Sequence, residues 1–191
     1  LFGMFAYLHT EPPPRTVRPR KNVLVYAALL TSNKRDPVWR YPKHTEYLKK
    51  WGEIADQFYV WDYDANFRNF YQPHPNYLVH PESMPFFRKI GVTGVMVQGG
   101  HGTAADLGPM RAWVNAQMMW NPDQDPKQLM KVFTNGYYGA AGPYVSRYIN
   151  LLLTAVHRQP DYWLGCYRTD TTGWLTLEDI NTAVTLMEQA A

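Results

Sequence analysis

Four short apolar runs in the first half of the chain predict β-strands. They are rich in β-branched and aromatic residues, each has the length of a strand, and they cover residues 1–8, 22–30, 58–63 and 94–98. The first three show little alternation with polar residues, which favours strands buried on both faces. Because the first run is apolar from its first residue, we expect the chain to begin in mid-fold.

Helical patterns fill the intervals between these strands. Residues 45–57 form an amphipathic helix, and residues 83–90 form a shorter one that Gly91 would end. Strands that alternate with helices are typical of parallel βαβ units. We therefore expect an α/β fold in which residues 1–103 are the second half of a TIM-type (β/α) barrel. An open doubly wound sheet is the alternative, although no Gly-rich phosphate turn follows any strand.

The second half of the chain is predicted to be helical. Amphipathic patterns mark helices over residues 107–120, 126–136, 142–157 and 177–191. Asp125 followed by proline is a strong helix start, and Thr176 with Asp179 predicts a capping box for the last helix. Residues 159–173 are predicted to be a loop. We assign residues 104–191 to a helical C-terminal region packed on the barrel.

Composition and charge narrow the function classes. Of the 191 residues, 46% are hydrophobic and 18% are charged, which argues against general disorder. The net charge of +3 is scattered, and the one basic cluster, residues 15–21, contains prolines. We interpret it as a connector and expect no nucleic-acid partner. No segment reaches the ~20 apolar residues that a membrane-spanning helix needs.

Metal and thiol chemistry have little support in the sequence. The six histidines show no i, i+4 pair, and Cys166 is the only cysteine, so we expect no metal site, cofactor or internal disulfide. Cys166 falls in the loop of the helical region, away from the predicted strand ends. This position disfavours a cysteine nucleophile.

The end of the third predicted strand carries the most informative segment. Asp62 and Asp64 alternate there with Trp61 and Tyr63, and Asn66 follows. A glycosidase needs carboxyl groups that protonate a leaving oxygen or activate water, and aromatic rings that stack on sugars. Two residues apart on a continuing strand, the aspartates would share a face. The alternative is that Asp62 bonds to neighbouring backbone or to an arginine and only shapes the barrel.

Two other strand exits offer candidates, because the C-terminal strand ends of an α/β barrel hold its active site. His9 and Glu11 follow the first strand, ahead of three prolines that would stiffen the loop. Gln98 and His101 follow the fourth strand, among glycines that permit close backbone approach. For Glu11 the alternative is a solvated loop carboxylate, and for His101 a structural or merely exposed side chain.

Several motifs resemble a bacterial family, domain of unknown function 4838, over roughly residues 4–155. The likeness is most specific in the Trp-Asp-Tyr strand end at 61–63 followed by the Tyr-Tyr-Gly-Ala-Ala corner at 137–141. Further matching segments are 58–60, 66–67, 73–76, 86–87, 91–95, 107–111, 120–125 and 135–136. The sequence departs from the family where Val97 and Gln98 replace an acidic strand end.

This family is similar to the barrels of α-glucuronidases and β-hexosaminidases, and it is usually found in large exported proteins of carbohydrate-degrading bacteria. The resemblance therefore implies a glycoside-hydrolase-like barrel that acts on complex polysaccharide or glycoconjugate in a periplasmic or secreted protein. It also implies that the N-terminal half of the barrel, in the same protein, precedes the part seen here.

We therefore expect part of a glycoside hydrolase that uses carboxylate acid/base chemistry. The candidate catalytic residues are Asp62, Glu11 and Asp64, and the candidates for binding the carbohydrate substrate are Trp61, Tyr63, Asn66, Gln98, His101 and His9. Two alternatives stay open: a non-catalytic carbohydrate-binding barrel, which Val97 favours, and a structural or interaction domain. Because four strands do not close a barrel, we expect the chain alone to be unstable, to dimerise, or to belong to a longer molecule.

Overall fold

Four parallel strands form one open sheet in the computed structural model, which describes residues 1–100 and 105–191. The strands are β1 (Phe2–Ala6), β2 (Val23–Ala28), β3 (Gln57–Tyr63) and β4 (Gly94–Gln98), and they pair in the order β1-β2-β3-β4. In register, Ala6 lies beside Ala27, Ala27 beside Val60, and Val60 beside Val95. The prediction of four neighbouring parallel strands is confirmed.

Six α-helices accompany the sheet in the described part of the chain. They are α1 (Pro42–Ile54), α2 (Val79–Lys89), α3 (Gly108–Trp120), α4 (Pro126–Tyr138), α5 (Gly142–His157) and α6 (Leu177–Ala190). The start of α1 lies three residues before the predicted one, because Pro42 is suited to a first helical turn. The end of α4 lies beyond Gly136, because the backbone turns with positive φ only at Gly139.

The predicted helix caps are confirmed. The Asp125 side chain accepts hydrogen bonds from the backbone of Lys127 at 2.9 Å and Gln128 at 3.4 Å. Thr176 and Asp179 form the capping box of α6. Gly91 follows α2 with φ +84°, a conformation that suits glycine. These local signals are readable from sequence because each cap depends on side chains within three residues of the helix end.

One face of the sheet carries the hydrophobic core. Alternate strand residues on this face pack against the helices: Met4, Ala6, Val23, Val25, Ala27, Phe58, Val60, Val95 and Val97. Side chains of α1, α2 and α3 complete the core from the helix side, with Trp51, Phe87 and Met110 all at most 2% exposed. We call this the helix-covered face.

The opposite face of the sheet is a row of aromatic side chains with no such cover. Its rings come from Phe5, Tyr26, Tyr59 and Trp61, which contact one another at centroid distances of 5.3 to 6.4 Å. Phe5 is 50% exposed and Met96, beside Trp61, is 40% exposed. We call these five residues the open face. The expectation of burial on both faces is wrong for β1 and β3, because the described helices pack on one side only. In β2 it is largely confirmed, since Leu24 and Ala28 are buried on the same side as Tyr26.

Candidate functional site

The alternation of β3 divides the predicted site residues between the two faces. Asp62 follows Phe58 and Val60 on the helix-covered face, and its side chain is buried. Trp61 and Tyr63 lie on the opposite face and are only partly buried. Carboxylate and aromatic candidates that are adjacent in sequence are therefore separated by the sheet itself.

Asp62 forms a buried ion pair. Its Oδ1 accepts a hydrogen bond from Lys34 Nζ, and His80 Nδ1 lies 3.0 Å from its Oδ2. The ammonium also donates to the Leu29 carbonyl at 2.7 Å and to Ser32 Oγ at 2.6 Å. Burial opposes ionisation of Asp62, but Lys34 and His80 outweigh this effect and hold its pKa below the usual range. Both oxygens of Asp62 therefore already have partners from the protein.

Asp64 lies just beyond β3 and is differently placed. Its Oδ2 accepts a hydrogen bond from Asn115 Nδ2 of α3 at 3.1 Å, and its backbone N–H donates to the Gln98 carbonyl at 3.0 Å. Its Oδ1 is buried and has no hydrogen-bond partner among the described residues. Gly99 approaches this oxygen closely, because a Cβ built there would lie 2.9 Å from Oδ1. Asp64 Oδ1 is thus a buried acceptor at the end of β4, and it has no partner in residues 1–100 and 105–191.

Glu11 is held in a third cluster after β1. Its Oε1 accepts from Thr31 Oγ1 at 3.0 Å and lies 3.1 Å from His44 Nε2, while Lys43 Nζ lies 3.2 Å from Oε2. Burial lowers the pKa of His44, although the Glu11 carboxylate opposes this shift. The loop after β1 holds Glu11 in the interior. The residue is 8% exposed, so it is not the solvated loop carboxylate of the alternative. A neighbouring cavity of about 10 Å³ has room for no more than a water molecule.

Aromatic and amide groups meet at the carboxyl end of the open face. Trp61 Nε1 donates to Gln98 Oε1 at 3.0 Å. The Tyr63 ring meets Phe67 edge-on at 5.9 Å, and Phe67 lies 5.7 Å from the ring of Tyr167. Tyr167 is 53% exposed. The predicted sugar-binding residues Trp61, Tyr63 and Gln98 therefore lie in one neighbourhood.

Two other candidates for substrate binding, Asn66 and His9, do not join this group. Asn66 is buried, and its amide donates to the Arg168 carbonyl at 2.6 Å and accepts from the Arg68 backbone at 3.0 Å. His9 is exposed on a short turn after β1. His101 lies outside the described residues.

The loop at residues 161–168, which we call the covering loop, crosses the strand ends. Lys34 N–H donates to the Leu164 carbonyl at 2.8 Å, and Phe67 N–H donates to the Cys166 carbonyl at 2.7 Å. The interpretation of Cys166 as remote from the strand ends is therefore wrong, since its thiol interacts electrostatically with Lys34 and both aspartates. Burial raises the pKa of Cys166 to about 11, so the thiol is un-ionised at neutral pH.

Sequence reasoning missed the residues that pair with the candidate carboxylates. Lys34 and His80 lie 28 and 18 residues from Asp62, and Asn115 lies 51 residues from Asp64. The only available signal was that His80 shares a helix face with Ser83 and Phe87, which a core histidine also does. Such long-range pairing depends on packing that no local pattern reports.

Two kinds of site are not found in the described part of the chain. Residues 1–100 and 105–191 contain no group of three or more histidine, cysteine, aspartate or glutamate side chains arranged to hold a metal ion. Among the same residues, every helix is too short or too polar to cross a bilayer.

Comparison with known proteins gives one match. The family described as "Domain of unknown function (DUF4838)" matches residues 1–150, which contain the whole sheet and the carboxylate clusters. No curated protein and no solved structure matches the chain.

Proposed function

This chain belongs to the DUF4838 family, and on that premise we propose that it is the second half of a glycoside-hydrolase-type (β/α) barrel that binds carbohydrate at the carboxyl end of its sheet. The substrate class is complex polysaccharide or glycoconjugate, and the setting is the periplasm or exterior of a bacterium. The observation that carries the proposal is the aromatic cluster beside Gln98, on the face that a barrel would turn inward.

The distribution of the two sheet faces supports a barrel rather than a doubly wound sheet. A doubly wound sheet has helices on both faces, whereas a barrel has them only outside. In the described chain the helices pack against one face, and the other presents Phe5, Tyr26 and Trp61. β1 and β4 end the sheet with unpaired edges, where further parallel strands would continue it.

Aromatic rings at the strand ends support a sugar ligand. A ring face stacks on the apolar face of a pyranose, and a nearby amide bonds its hydroxyls. Tyr63, Phe67 and Tyr167 offer the rings. Gln98 accepts from Trp61 through Oε1, which leaves its Nε2 amide group as a donor for sugar hydroxyls. Because the covering loop supplies Tyr167, the helical region contributes directly to this surface.

Hydrolysis needs a carboxyl group that can exchange a proton with the substrate. Of the three candidates, Asp62 is paired with the Lys34 ammonium and Glu11 with the Lys43 ammonium. Asp64 is the candidate with an oxygen that has no partner in the described residues. We assign it the acid/base role and assign Asp62 the role of positioning the β3 end.

The ion pairs of Asp62 and Glu11 favour a second candidate function, a carbohydrate-binding barrel without catalysis. In that case the aromatic cluster would hold sugar and the carboxylates would serve the fold alone. Both functions predict that loss of an aromatic residue of the cluster weakens sugar binding. Only the enzyme predicts that substitution of Asp64 lowers turnover.

The binding step is tested with Tyr167→Ala, measured by calorimetric titration of the protein with neutral oligosaccharides. Loss of a stacking ring should weaken binding about tenfold. Tyr137→Ala is the matched control, since Tyr137 is 61% exposed on α4 and Tyr167 is 53% exposed. Equal affinities of the two variants for the oligosaccharide would show that the sugar does not bind at this cluster.

The catalytic step is tested with Asp64→Asn on any oligosaccharide that the protein cleaves. A general acid or base should be worth about 10²- to 10⁴-fold in turnover, with affinity retained. Asp56→Asn is the control, because Asp56 is an exposed aspartate at the other end of β3. Sugar binding without turnover in the unmodified protein would establish the non-catalytic alternative.

A further inference from the structure

A groove of about 1170 Å³ lies apart from the carbohydrate cluster, between the loops after β2 and β3 and the helices α4 and α5. α5 lines it from Pro143 to His157, a length of about 21 Å at 1.5 Å per residue. Its opposite wall comes from residues 35–40 and from the start of α2. The groove is therefore long enough for a linear ligand and is larger than most small-molecule pockets.

Most charged side chains that line the groove are positive, and two of them, Arg35 and Arg158, are already paired within the protein. Arg35 bonds to Asp36 at 2.7 Å and to the Gln159 carbonyl at 2.7 Å, and Arg158 pairs with Asp179. These contacts fix the end of the groove near the covering loop. The guanidinium groups of Arg35 and Arg158 therefore already have hydrogen-bond partners within the protein.

Three further cations line the groove without an ion pair to any described residue: Arg40, Lys127 and Lys131. Arg40 lies over the Trp39 ring at 4.8 Å, and all three side chains belong to exposed residues. They come from both walls, since Arg40 precedes α1 and the lysines lie one helical turn apart on α4. A ligand between the walls would meet positive charge from both sides.

One carboxyl group, Glu82, faces these cations. It lines the groove, is half-buried, and makes no side-chain hydrogen bond to described residues. Burial raises its pKa, while Lys127, His157 and Arg40 act in the opposite direction and Asp36 adds to the rise. Protonation of Glu82 in mild acid would remove the negative charge that opposes an anion in the groove.

Uncharged polar side chains complete the lining. Asn135, Asn150 and Thr154 are exposed along α4 and α5, and Ser146 and Thr134 lie between them. More than half of the lining residues have polar or charged side chains, while apolar atoms make up most of the lining surface. Amides and hydroxyls in a row suit a ligand that carries many hydroxyl groups.

We propose that this groove binds a linear acidic oligosaccharide, whose carboxylate or sulfate groups are held by Arg40, Lys127 and Lys131. The anionic and hydroxylated character of the ligand comes from the groove itself, and its identity as a saccharide rests on the proposed function. The groove is a second site, because its lining includes none of the aromatic cluster.

The test is calorimetric titration of the protein with an oligogalacturonate, a sulfated cello-oligosaccharide and a neutral cello-oligosaccharide. Lys127→Gln/Lys131→Gln should weaken binding of the acidic sugars about tenfold at low salt, because two exposed charge contacts are lost. Lys49→Gln/Lys89→Gln is the matched control, since both are exposed helical lysines without an ion pair to described residues and lie outside the groove. Glu82→Gln should strengthen binding at neutral pH and reduce its increase in mild acid.

The possible outcomes separate this site from the carbohydrate cluster. A groove site predicts that acidic sugars respond to the α4 lysines and not to Tyr167→Ala, and the carboxylate and sulfate arms show which anion it prefers. Equal weakening by the control pair, or equal affinity for poly-glutamate, would overturn the acidic-saccharide site. Failure of acidic sugars to bind, while Tyr167→Ala still weakens neutral sugar binding, would overturn this inference and leave the proposed function standing.

Discussion

At the scale of single residues, the Asp62–Lys34 pair shows how a strand-end carboxylate can be occupied by the fold. Both side chains are at most 2% exposed, so each charge depends on the other for solvation. A buried ion pair contributes little net stability compared with apolar residues of similar size, but breaking it leaves one charge alone in the interior. The pair is therefore expected to be intolerant of single substitutions.

We predict that Asp62→Asn lowers the free energy of unfolding by about 3–5 kcal/mol, because Lys34 would stay buried without a counter-ion. Urea unfolding of the purified protein measures this change. The double variant Lys34→Met/Asp62→Leu is the control, and it should recover most of the loss since no charge remains. A double variant as unstable as Asp62→Asn would mean that packing, and not charge, sets the cost.

The same pair predicts how stability depends on pH. The pKa of Asp62 is depressed in the folded protein, so the ionised carboxylate stabilises the fold above its unfolded value near 3.8 and loses this effect as pH falls below it. We expect the unfolding free energy of the unmodified protein to fall relative to Lys34→Met/Asp62→Leu below about pH 4. Urea titrations at a series of acidic pH values check this, and parallel curves for the two proteins would contradict it.

The sequence predicts where the three candidate carboxylates lie but not which of them are paired. The positions of Asp62, Asp64 and Glu11 at strand exits follow from local patterns, and all three predictions of place agree with the structure. Whether a carboxylate is free or paired depends on side chains far away in sequence, such as Lys34 and Asn115. Local patterns carry no information on such partners.

At the scale of elements, the apolar runs and helical periods predicted the strands and most helices to within a few residues. The helix boundaries that moved include the start of α1 at Pro42, the start of α2, which lies at Val79 and not at residue 83, and the end of α4, which lies beyond Gly136. The covering loop is the element whose placement was missed. A polar, Gly-containing segment predicts a loop but not the surface across which it runs.

Two helical glycines lead to opposite predictions. A Cβ at Gly52 of α1 would lie 2.1 Å from the backbone oxygen of Ile90 beyond α2, whereas a Cβ at Gly136 of α4 would have nothing within 4 Å. We predict that Gly52→Ala destabilises the protein by about 1–3 kcal/mol through overpacking. Gly136→Ala should stabilise it by about 0.5–1 kcal/mol, because alanine favours the helix. Urea unfolding of both variants tests the pair, and unchanged or increased stability of Gly52→Ala would contradict the close approach of α1 to Ile90.

At the scale of the whole molecule, the difference between the two sheet faces is the feature from which function was inferred. The helix-covered face completes a core, and the open face leaves apolar rings and two strand edges in contact with water. Exposed apolar patches of this kind mark surfaces that bind something. Under the barrel that we propose, further parallel strands would cover this face, and in the 191-residue chain by itself a second copy is the nearest substitute.

We therefore predict that the 191-residue chain self-associates through its open face at micromolar concentration. Phe5→Gln/Met96→Gln should shift the chain towards monomer in sedimentation velocity, because both side chains lie exposed on that face. Val132→Gln/Met119→Gln is a closely matched control, with the same exposed fractions of 50% and 40% on α4 and α3. Dissociation by the control pair alone would place the contact on the helices and would contradict self-association through the open face. Dissociation by the open-face pair alone would mean that the chain associates through the open face, which is the face that a closed barrel would turn inward.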